Sequence, residues 1–271
     1  MTLSTASLVV NDALVKVASA ELANSQIIVI RSLVIVLLCA LVLRGWPGFV
    51  ALLADRDLLV RTGFVVANTF AFVAAVTSLP FTIAVLVDYS GLLFVSMLAS
   101  VLLGERLSAR RLTVIVPGIV GCYLILSPEG SDHGRLIVLP VVSALTGPVR
   151  DVWTGHPVFA NYGAYRPTLH AAIGLCLSGL LVTDLSTWIT PTPLALSTHA
   201  TAGLFQALAL LLTAKAFLIG KATLIAPFRP SAVVWTLLIS LVAFEEHLGL
   251  GQILGVLAVA AALWMTLSAG P

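Results

Sequence analysis

Residues 80–108 read PFTIAVLVDYSGLLFVSMLASVLLGERLS, an apolar run in which Asp88 is the one charged residue before the closing Gly-Glu-Arg-Leu motif. An α-helix of about 20 apolar residues is long enough to cross the hydrocarbon core of a bilayer. Similar runs fill the chain of 271 residues, of which 59% are hydrophobic and 10% are charged, with a mean hydropathy of +1.10. Because a soluble domain carries about 25% charged residues, this composition excludes a soluble globular protein and predicts an all-α membrane protein.

The chain has room for about ten transmembrane helices joined by short loops, with nothing left for a soluble domain. We predict these helices at 2–20, 25–43, 58–78, 80–103, 110–127, 135–153, 166–184, 194–216, 221–244 and 249–268. With the N-terminus inside, ten Lys and Arg residues fall at inner helix ends, and only Arg135 falls at an outer end. Since cytoplasmic loops retain basic residues, we expect a multi-pass protein of the inner (cell) membrane with both termini in the cytoplasm.

The charge, cysteine and motif content argue against several other functions. A net charge of +2 provides no basic surface for nucleic acid. The three cysteines lie in separate apolar runs, so we expect no metal site, and no cofactor is expected either. The sequence has no His-Glu-x-x-His, Gly-x-Ser-x-Gly or phosphate-binding GxxxxGK loop, which argues against an enzyme and against an ATPase.

The expected partners are the lipid bilayer and a small-molecule substrate, with protons or a counter-transported solute as the coupling species. The last predicted helix contains Gly251-x-x-x-Gly255. This spacing lets another helix approach closely, either within the bundle or in a homodimer.

Two acidic motifs reveal an internal repeat. Gly104-Glu105-Arg106-Leu107 and Glu245-Glu246-His247-Leu248 each precede an apolar helix, at an offset of 141 residues (246 − 105), and this offset also aligns Asp88 with Arg229. Each half then holds five helices, an odd number, so the second half must run through the membrane upside down relative to the first. The predicted architecture is therefore ten helices in two inverted five-helix repeats, with a first repeat at 1–127, a loop at 128–134 and a second repeat at 135–271.

These motifs resemble a known transporter family. The residues that carry the resemblance are GERLS at 104–108, its echo at 245–248, Arg31 early in the second helix and NDALVK at 11–16. Together they resemble the EamA family of the drug/metabolite transporter superfamily, over essentially the whole chain. The resemblance implies a ten-helix inner-membrane transporter for a small organic solute, often an exporter. The NDALVK opening is similar to the branch that includes S-adenosylmethionine transporters.

Asp12 and Lys16 are the first candidates for a role in transport. They lie four residues apart, which places both on one face of the first helix within reach of a salt bridge. Either the pair only neutralises itself and holds the helix in place, or it opens when substrate or a proton arrives. Asn11 adds a hydrogen-bonding group beside them.

Asp88 and Arg229 are the second pair, because the repeat offset places opposite charges at equivalent positions of the two halves. Inverted symmetry brings such positions together near the membrane midplane, where the substrate sites of repeat transporters lie. The two residues form either a structural salt bridge or part of the substrate pathway. An Arg that binds a carboxylate and an Asp that receives an ammonium group or a proton suit a zwitterion. Tyr89 and Trp235 would stack on a planar substrate.

Three further residues are candidates for a structural or gating role. Glu105 and Glu246 are the acidic residues of the two motif copies. Arg31 lies six residues into the second helix, from where we expect its long side chain to reach the outer interface.

The helix at 135–153 is expected to be short, about 21 Å between Arg135 and Arg150, because Pro140 and Pro148 interrupt it.

These features favour a secondary transporter that moves an amino-acid-like or S-adenosylmethionine-like zwitterion across the inner membrane by alternating access. The alternative is an exporter of drugs or organic cations, and a remoter alternative is a passive membrane channel or scaffold.

Overall fold

The computed structural model describes residues 2–19, 21–43, 53–91, 98, 102, 120–121, 124, 134–183, 188–219, 231–246 and 249–268. These ranges contain nine α-helices and no β-strand. The helices are α1 (Thr2–Ala18), α2 (Asn24–Leu43), α3 (Arg56–Ser78), α4 (Phe81–Ser90), α5 (Val138–Thr154), α6 (Tyr165–Val182), α7 (Pro193–Ile219), α8 (Ser231–Ala243) and α9 (Leu250–Ser268). Short 3-10 helices, Gly134–Ile137 and Pro157–Asn161, lie on either side of α5.

Each described helix falls within or close to one predicted span, and the span at 110–127 lies almost wholly outside the described residues. Within the described ranges, four stretches are long and apolar enough to cross a membrane: Asn24–Leu41, Arg56–Ser78, Gly134–Thr154 and Pro193–Ile219. The outer surface of the bundle is apolar, as shown by Leu41, Leu181 and Val242 at 75%, 86% and 82% exposure. A continuous apolar exterior of this kind is suited to lipid, so the chain is an all-α, multi-pass membrane protein.

Local sequence signals explain where several helices begin and end. Asp55 caps the N-terminus of α3, because its carboxylate accepts hydrogen bonds from the backbone amides of Asp57 and Leu58 at 3.0 and 3.1 Å. Pro80 separates α3 from α4, since proline has no amide hydrogen to continue the α3 ladder. Pro193 is the first residue of α7, a position at which the missing amide hydrogen has no cost.

The prediction of a short, interrupted helix at 135–153 was wrong. The 3-10 turn and α5 together form the 21-residue stretch Gly134–Thr154, one of the four membrane-capable stretches. Pro140 lies in the first turn of α5, where an amide hydrogen has no partner within the helix anyway. Pro148 lies inside α5 without ending it.

Pro148 cannot donate to the carbonyl four residues earlier, that of Ala144. Gly91, at the end of α4, packs directly against this carbonyl: a Cβ atom built on Gly91 would lie 2.0 Å from the Ala144 oxygen. The absence of a side chain at Gly91 therefore allows α4 and α5 to approach closely. This crossing holds Asp88, one turn earlier on α4, next to α5.

The helices pack mainly in pairs that join the two predicted halves of the chain: α1 with α7, α2 with α6 and α3 with α5. The largest buried apolar cluster draws residues from seven helices, including Val9, Ile27, Val76, Ala84, Val152, Ala202, Phe217 and Ala232. The two halves therefore share one core. On α9, a Cβ atom built on Gly251 would lie 3.7 Å from the backbone oxygen of Leu124. This contact agrees with helix packing within the bundle.

Candidate functional site

A polar cavity lies inside the bundle, between α1, α2, α3, α4, α5 and α7. Its volume is about 70 Å³, enough for a few water molecules. Five of its lining side chains are ionisable, namely Asp12, Arg31, Asp88, Arg150 and Asp151. Three more carry amides, namely Asn11, Asn68 and Gln206. Ionisable groups inside a membrane helix cost about 2.5–3.5 kcal/mol each to insert, so this concentration makes the cavity the candidate functional site.

One wall of the cavity is formed by α1 and α2. Asn11 Nδ2 donates a hydrogen bond of 2.7 Å to Asp12 Oδ1. Arg31 lies nearby and interacts electrostatically with Asp12, but in the part of the chain that the structure describes they form no ion pair. The expectation that Arg31 reaches the outer interface was wrong. Its side chain is only 3% exposed, because α2 packs against α6, α7 and α3 and Arg31 lines the cavity inside the bundle.

The opposite wall is a chain of hydrogen bonds that joins α4, α5 and α3. Ser143 Oγ donates to Asp88 Oδ1, and Asn68 Nδ2 donates to Ser143 Oγ at 2.7 Å. Arg150 then donates one nitrogen to Asn68 Oδ1 at 3.0 Å and its Nε to Asp151 Oδ1 at 2.8 Å. A continuous chain of hydrogen bonds therefore runs along the cavity wall from Asp88 to Asp151, near the end of α5.

Glu246 lies at one end of the bundle and caps α4 from the other half of the chain. Its two carboxylate oxygens accept hydrogen bonds from the backbone amides of Phe81 at 2.7 Å and Thr82 at 3.0 Å. They also accept from the hydroxyls of Thr82 at 2.6 Å and Ser240 at 2.9 Å. A carboxylate is favoured at a helix N-terminus because the free amide hydrogens and the helix dipole are positive there. We call Glu246, Phe81, Thr82 and Ser240 the Glu246 latch.

Lys16 belongs to this end of the bundle. Its Nζ donates a 2.7 Å hydrogen bond to the carbonyl of Leu79, at the break between α3 and α4, and it interacts electrostatically with Glu246. The predicted salt bridge between Asp12 and Lys16 was wrong, since no such pair occurs among the described residues. The long lysine side chain extends towards the end of the helix, whereas the short side chain of Asp12 stays at the cavity.

Another buried arginine ties helices together at the opposite end. Arg61 Nε donates to Thr154 Oγ1 at 2.7 Å, and another of its nitrogens donates to the carbonyl of Pro167 at 2.9 Å. These bonds connect α3 with the end of α5 and the start of α6. Arg61 is 3% exposed, and its hydrogen bonds to α5 and α6 give it a structural role at this end of the bundle.

Asp55 and Tyr162 form a further contact at that end, outside the membrane-spanning helices. The Tyr162 hydroxyl donates to Asp55 Oδ2. Burial alone would raise the pKa of Asp55, but the hydrogen bonds from Tyr162 and from two backbone amides lower it overall. The same hydrogen bond to Asp55 is the main reason that the pKa of Tyr162 is raised.

The structure brings Asn11, Asp12 and Asp88 together at the cavity, as required for a shared role. It does not bring Trp235 there, because that side chain is 40% exposed on the outside of α8 and is not part of the cavity wall. Arg229, Glu105 and the side chain of Tyr89 lie outside the described part of the structure.

Sequence reasoning missed Asn68, Ser143 and Gln206. Each is a polar residue within an apolar span, and this is the signal that would have found them. Within the described ranges, no group of three or more His, Cys, Asp or Glu side chains is arranged to hold a metal ion.

Comparison with known proteins gives the class of protein. No protein-family model matches the chain. The chain is 25% identical to a riboflavin transporter of Brucella anthropi, over 70% of this chain and 74% of that protein. It is 26% identical to an S-adenosylmethionine uptake transporter of Rickettsia prowazekii and 28% identical to that of Rickettsia conorii. Both of these matches cover 63% of this chain, and the chain spans just over half (57%) of each of those two relatives.

One solved crystal structure shares the fold, with a TM-score of 0.71 and 15% identity, over 97% of this chain and 94% of that one. The apolar helical bundle, its central polar cavity and these similarities identify the protein as a membrane transporter. It belongs, more particularly, with secondary transporters that move a small metabolite.

Proposed function

We propose that this transporter carries a zwitterionic metabolite, amino-acid-like or S-adenosylmethionine-like, across the inner membrane by alternating access at the central cavity. The observation that carries the proposal is the cavity itself, which gathers carboxylates and guanidinium groups from helices of both halves at the centre of an apolar bundle. Substrate sites of repeat transporters lie at such an interface between halves.

We further propose ten helices in two inverted repeats of the EamA type. Helix packing supports this architecture. Exchange of the halves pairs α1 with α5, α2 with α6, α3 with α7 and α4 with α8. When the halves are exchanged in this way, the contact between α1 and α7 becomes a contact between α5 and α3. In the same way, the α1–α8 contact becomes α5–α4, and the α2–α7 contact becomes α6–α3. The structure contains all six of these helix contacts. A pseudo-two-fold axis in the membrane plane accounts for this pattern.

Residues of the cavity wall support the same symmetry. Asp12 on α1 and Asp151 on α5 are 139 positions apart (151 − 12), and Asn68 on α3 and Gln206 on α7 are 138 apart (206 − 68). All four line the cavity. Each half therefore contributes a carboxylate and an amide from corresponding helices. Asp88 and Arg229 remain our predicted third pair, at the offset of 141 residues.

In the proposed cycle, the Glu246 latch closes the end of the bundle at which α1 ends. Three hydrogen bonds from Phe81 and Thr82 to one carboxylate hold the α8 side of the second half on the start of α4 in the first half, and Ser240 of α8 donates a fourth to the same carboxylate. With both termini cytoplasmic, as the distribution of Lys and Arg favours, this closed end faces outward. Release of the latch would expose the cavity to that side. Glu105, the counterpart of Glu246, is the proposed latch of the opposite end.

The chemistry of the cavity favours a zwitterion over an apolar cation. Arg31 in the wall disfavours a purely cationic ligand and attracts a carboxylate, while Asp12 and Asp88 attract positive groups. The described volume of about 70 Å³ is smaller than the roughly 300–1,000 Å³ of a metabolite pocket. Substrate entry therefore requires the halves to separate, as in a rocking carrier.

Uptake into proteoliposomes tests the proposal. We expect saturable uptake of radiolabelled S-adenosylmethionine, with competition by other amino-acid-bearing metabolites and little competition by apolar cationic drugs. The Glu245→Gln variant, altered at an exposed residue beside the latch, serves as the control and should transport normally. Competition by cationic drugs alone would move the protein to the drug-exporter alternative. Flux that never saturates would indicate a channel.

A further inference from the structure

Asn11, Asp12 and Arg31 form a compact group on one wall of the cavity, with exposed fractions of 0%, 2% and 3%. Asn11 donates its amide nitrogen to Asp12, which leaves the amide oxygen for another donor. Among the described residues, Asn11 Oδ1 and Arg31 Nε are buried without a hydrogen-bond partner. The group therefore contains one unused acceptor and one unused donor, in a protein whose surroundings are lipid.

Buried polar atoms are almost always hydrogen-bonded, and exceptions need an explanation such as a ligand. The Arg31 guanidinium requires an acceptor, for which a carboxylate is the best match. The Asp12 carboxylate and the Asn11 oxygen require a donor, and an ammonium group supplies three. Arg31 and Asp12 line one cavity without an ion pair in the described structure, so one ligand in that cavity could satisfy both.

A carboxylate and an ammonium group on the same carbon atom satisfy both requirements at once. This is the head group of an α-amino acid. Riboflavin carries neither group. Of the two substrates for which the relatives are named, riboflavin and S-adenosylmethionine, the arrangement therefore favours S-adenosylmethionine. The rest of the ligand would extend into the cavity towards Asn68 and Asp88.

We propose that Asn11, Asp12 and Arg31 bind the head group of an α-amino acid: Arg31 binds the carboxylate, and Asp12 with the amide oxygen of Asn11 binds the ammonium group. This inference rests on the proposed transport function, because it assigns a substrate class to the same cavity. It adds Arg31 as the residue that determines specificity for a carboxylate.

Calorimetric titration of the detergent-purified protein with three ligands tests each contact separately. The ligands are S-adenosylmethionine, its decarboxylated form, which keeps the amine, and 5′-methylthioadenosine, which lacks the whole head group. The wild-type protein should bind S-adenosylmethionine about 10- to 100-fold more tightly than the decarboxylated form, the range expected for hydrogen bonds to a charged group. This comparison needs no variant, so it holds even if a substitution prevents folding.

Two variants then assign the residues. Arg31→Gln should weaken binding of S-adenosylmethionine about 10- to 100-fold and leave binding of the decarboxylated form unchanged. Asp12→Asn should weaken both amine-bearing ligands and leave 5′-methylthioadenosine unchanged. Arg135→Gln, which removes an exposed arginine, is the matched control and should alter none of the three.

Equal weakening of all three ligands by Arg31→Gln would make the arginine a structural residue and overturn the inference. So would a wild-type protein that binds S-adenosylmethionine no better than its decarboxylated form, or that does not bind it. Saturable riboflavin uptake without binding of any amino-acid ligand would also refute the inference while the transport function stands. Absence of carrier-type uptake for every metabolite would instead refute the transport function.

Discussion

Glu246→Gln should open the end of the bundle that the Glu246 latch is proposed to close. The carboxylate accepts four hydrogen bonds, two of them from the N-terminal amides of α4. Glutamine keeps one acceptor oxygen, but it removes the charge and presents an NH2 group to donors. A hydrogen bond to a charged group contributes about 1.5–3 kcal/mol, and Glu246 is only partly buried. We therefore expect a net loss of about 2–3 kcal/mol, which shifts the closed–open equilibrium about 30- to 140-fold.

Thiol labelling from each side of the membrane measures this shift. A single cysteine replaces Thr69, which lines the cavity, in a protein without its three native cysteines, and a membrane-impermeant reagent is applied to oriented vesicles. The wild-type cavity should label from one side only. Glu246→Gln should label from the other side as well, at least about tenfold faster than wild type, and Glu245→Gln should behave as wild type. Lower thermal stability with unchanged labelling from both sides would show that Glu246 is only a structural cap.

Four other substitutions give three separate tests. Asp88→Asn should abolish uptake while leaving the detergent-purified protein folded in size-exclusion chromatography, and normal uptake would remove Asp88 from the substrate pathway. Gly91→Ala should lower the melting temperature, because the added Cβ would lie 2.0 Å from a backbone oxygen of α5. The control Gly63→Ala, whose Cβ would have nothing within 4 Å, should raise stability by up to about 1 kcal/mol. Equal effects of the two substitutions would refute the close crossing of α4 and α5. The lowered pKa of Asp55 means that its contribution to stability is present above the unfolded pKa of about 3.9 and is lost as pH falls through the folded value. Tyr162→Phe should therefore lower the melting temperature at pH 7 and reduce the fall in melting temperature between pH 5 and pH 3, as measured by differential scanning fluorimetry. An unchanged fall over this pH range would contradict the role of the contact between Asp55 and Tyr162.

Helix positions were predictable because they depend on the length of apolar runs, which the sequence states directly. The starts of α3 and α7 follow from Asp55 and Pro193, local signals that act within one turn. The extent of α5 was not predictable, since proline propensity suggested an interruption. Its internal proline is accommodated by a crossing with Gly91, a residue distant in the sequence.

The partners of charged residues were harder to predict than their presence. Spacing on one helix singled out Asp12, which lines the cavity, but it paired this residue with Lys16, whose side chain lies at the latch end. Arg31 was expected to extend to lipid head groups, although it faces the cavity. Spacing along one helix does not reveal which neighbouring helix lies on each face, and in a bundle this decides whether a charge meets lipid, another residue or a cavity.

The proposed repeat was partly visible in the sequence. The acidic motifs and the offset of 141 residues indicate it in the later helices, where the two motifs have similar residues. In the earlier helices the corresponding residues are chemically related but not identical, as with Asn68 and Gln206. Their relation becomes visible only once both are found in the wall of one cavity.

Counterflow in proteoliposomes tests the central claim, transport by alternating access, most directly. Vesicles that contain the protein are loaded with unlabelled S-adenosylmethionine and diluted into a trace of labelled compound. A carrier that exposes one site to each side in turn should accumulate label transiently above its equilibrium level, and the overshoot should vanish in Asp88→Asn. Monotonic equilibration of label at a rate unaffected by the internal substrate would contradict the account.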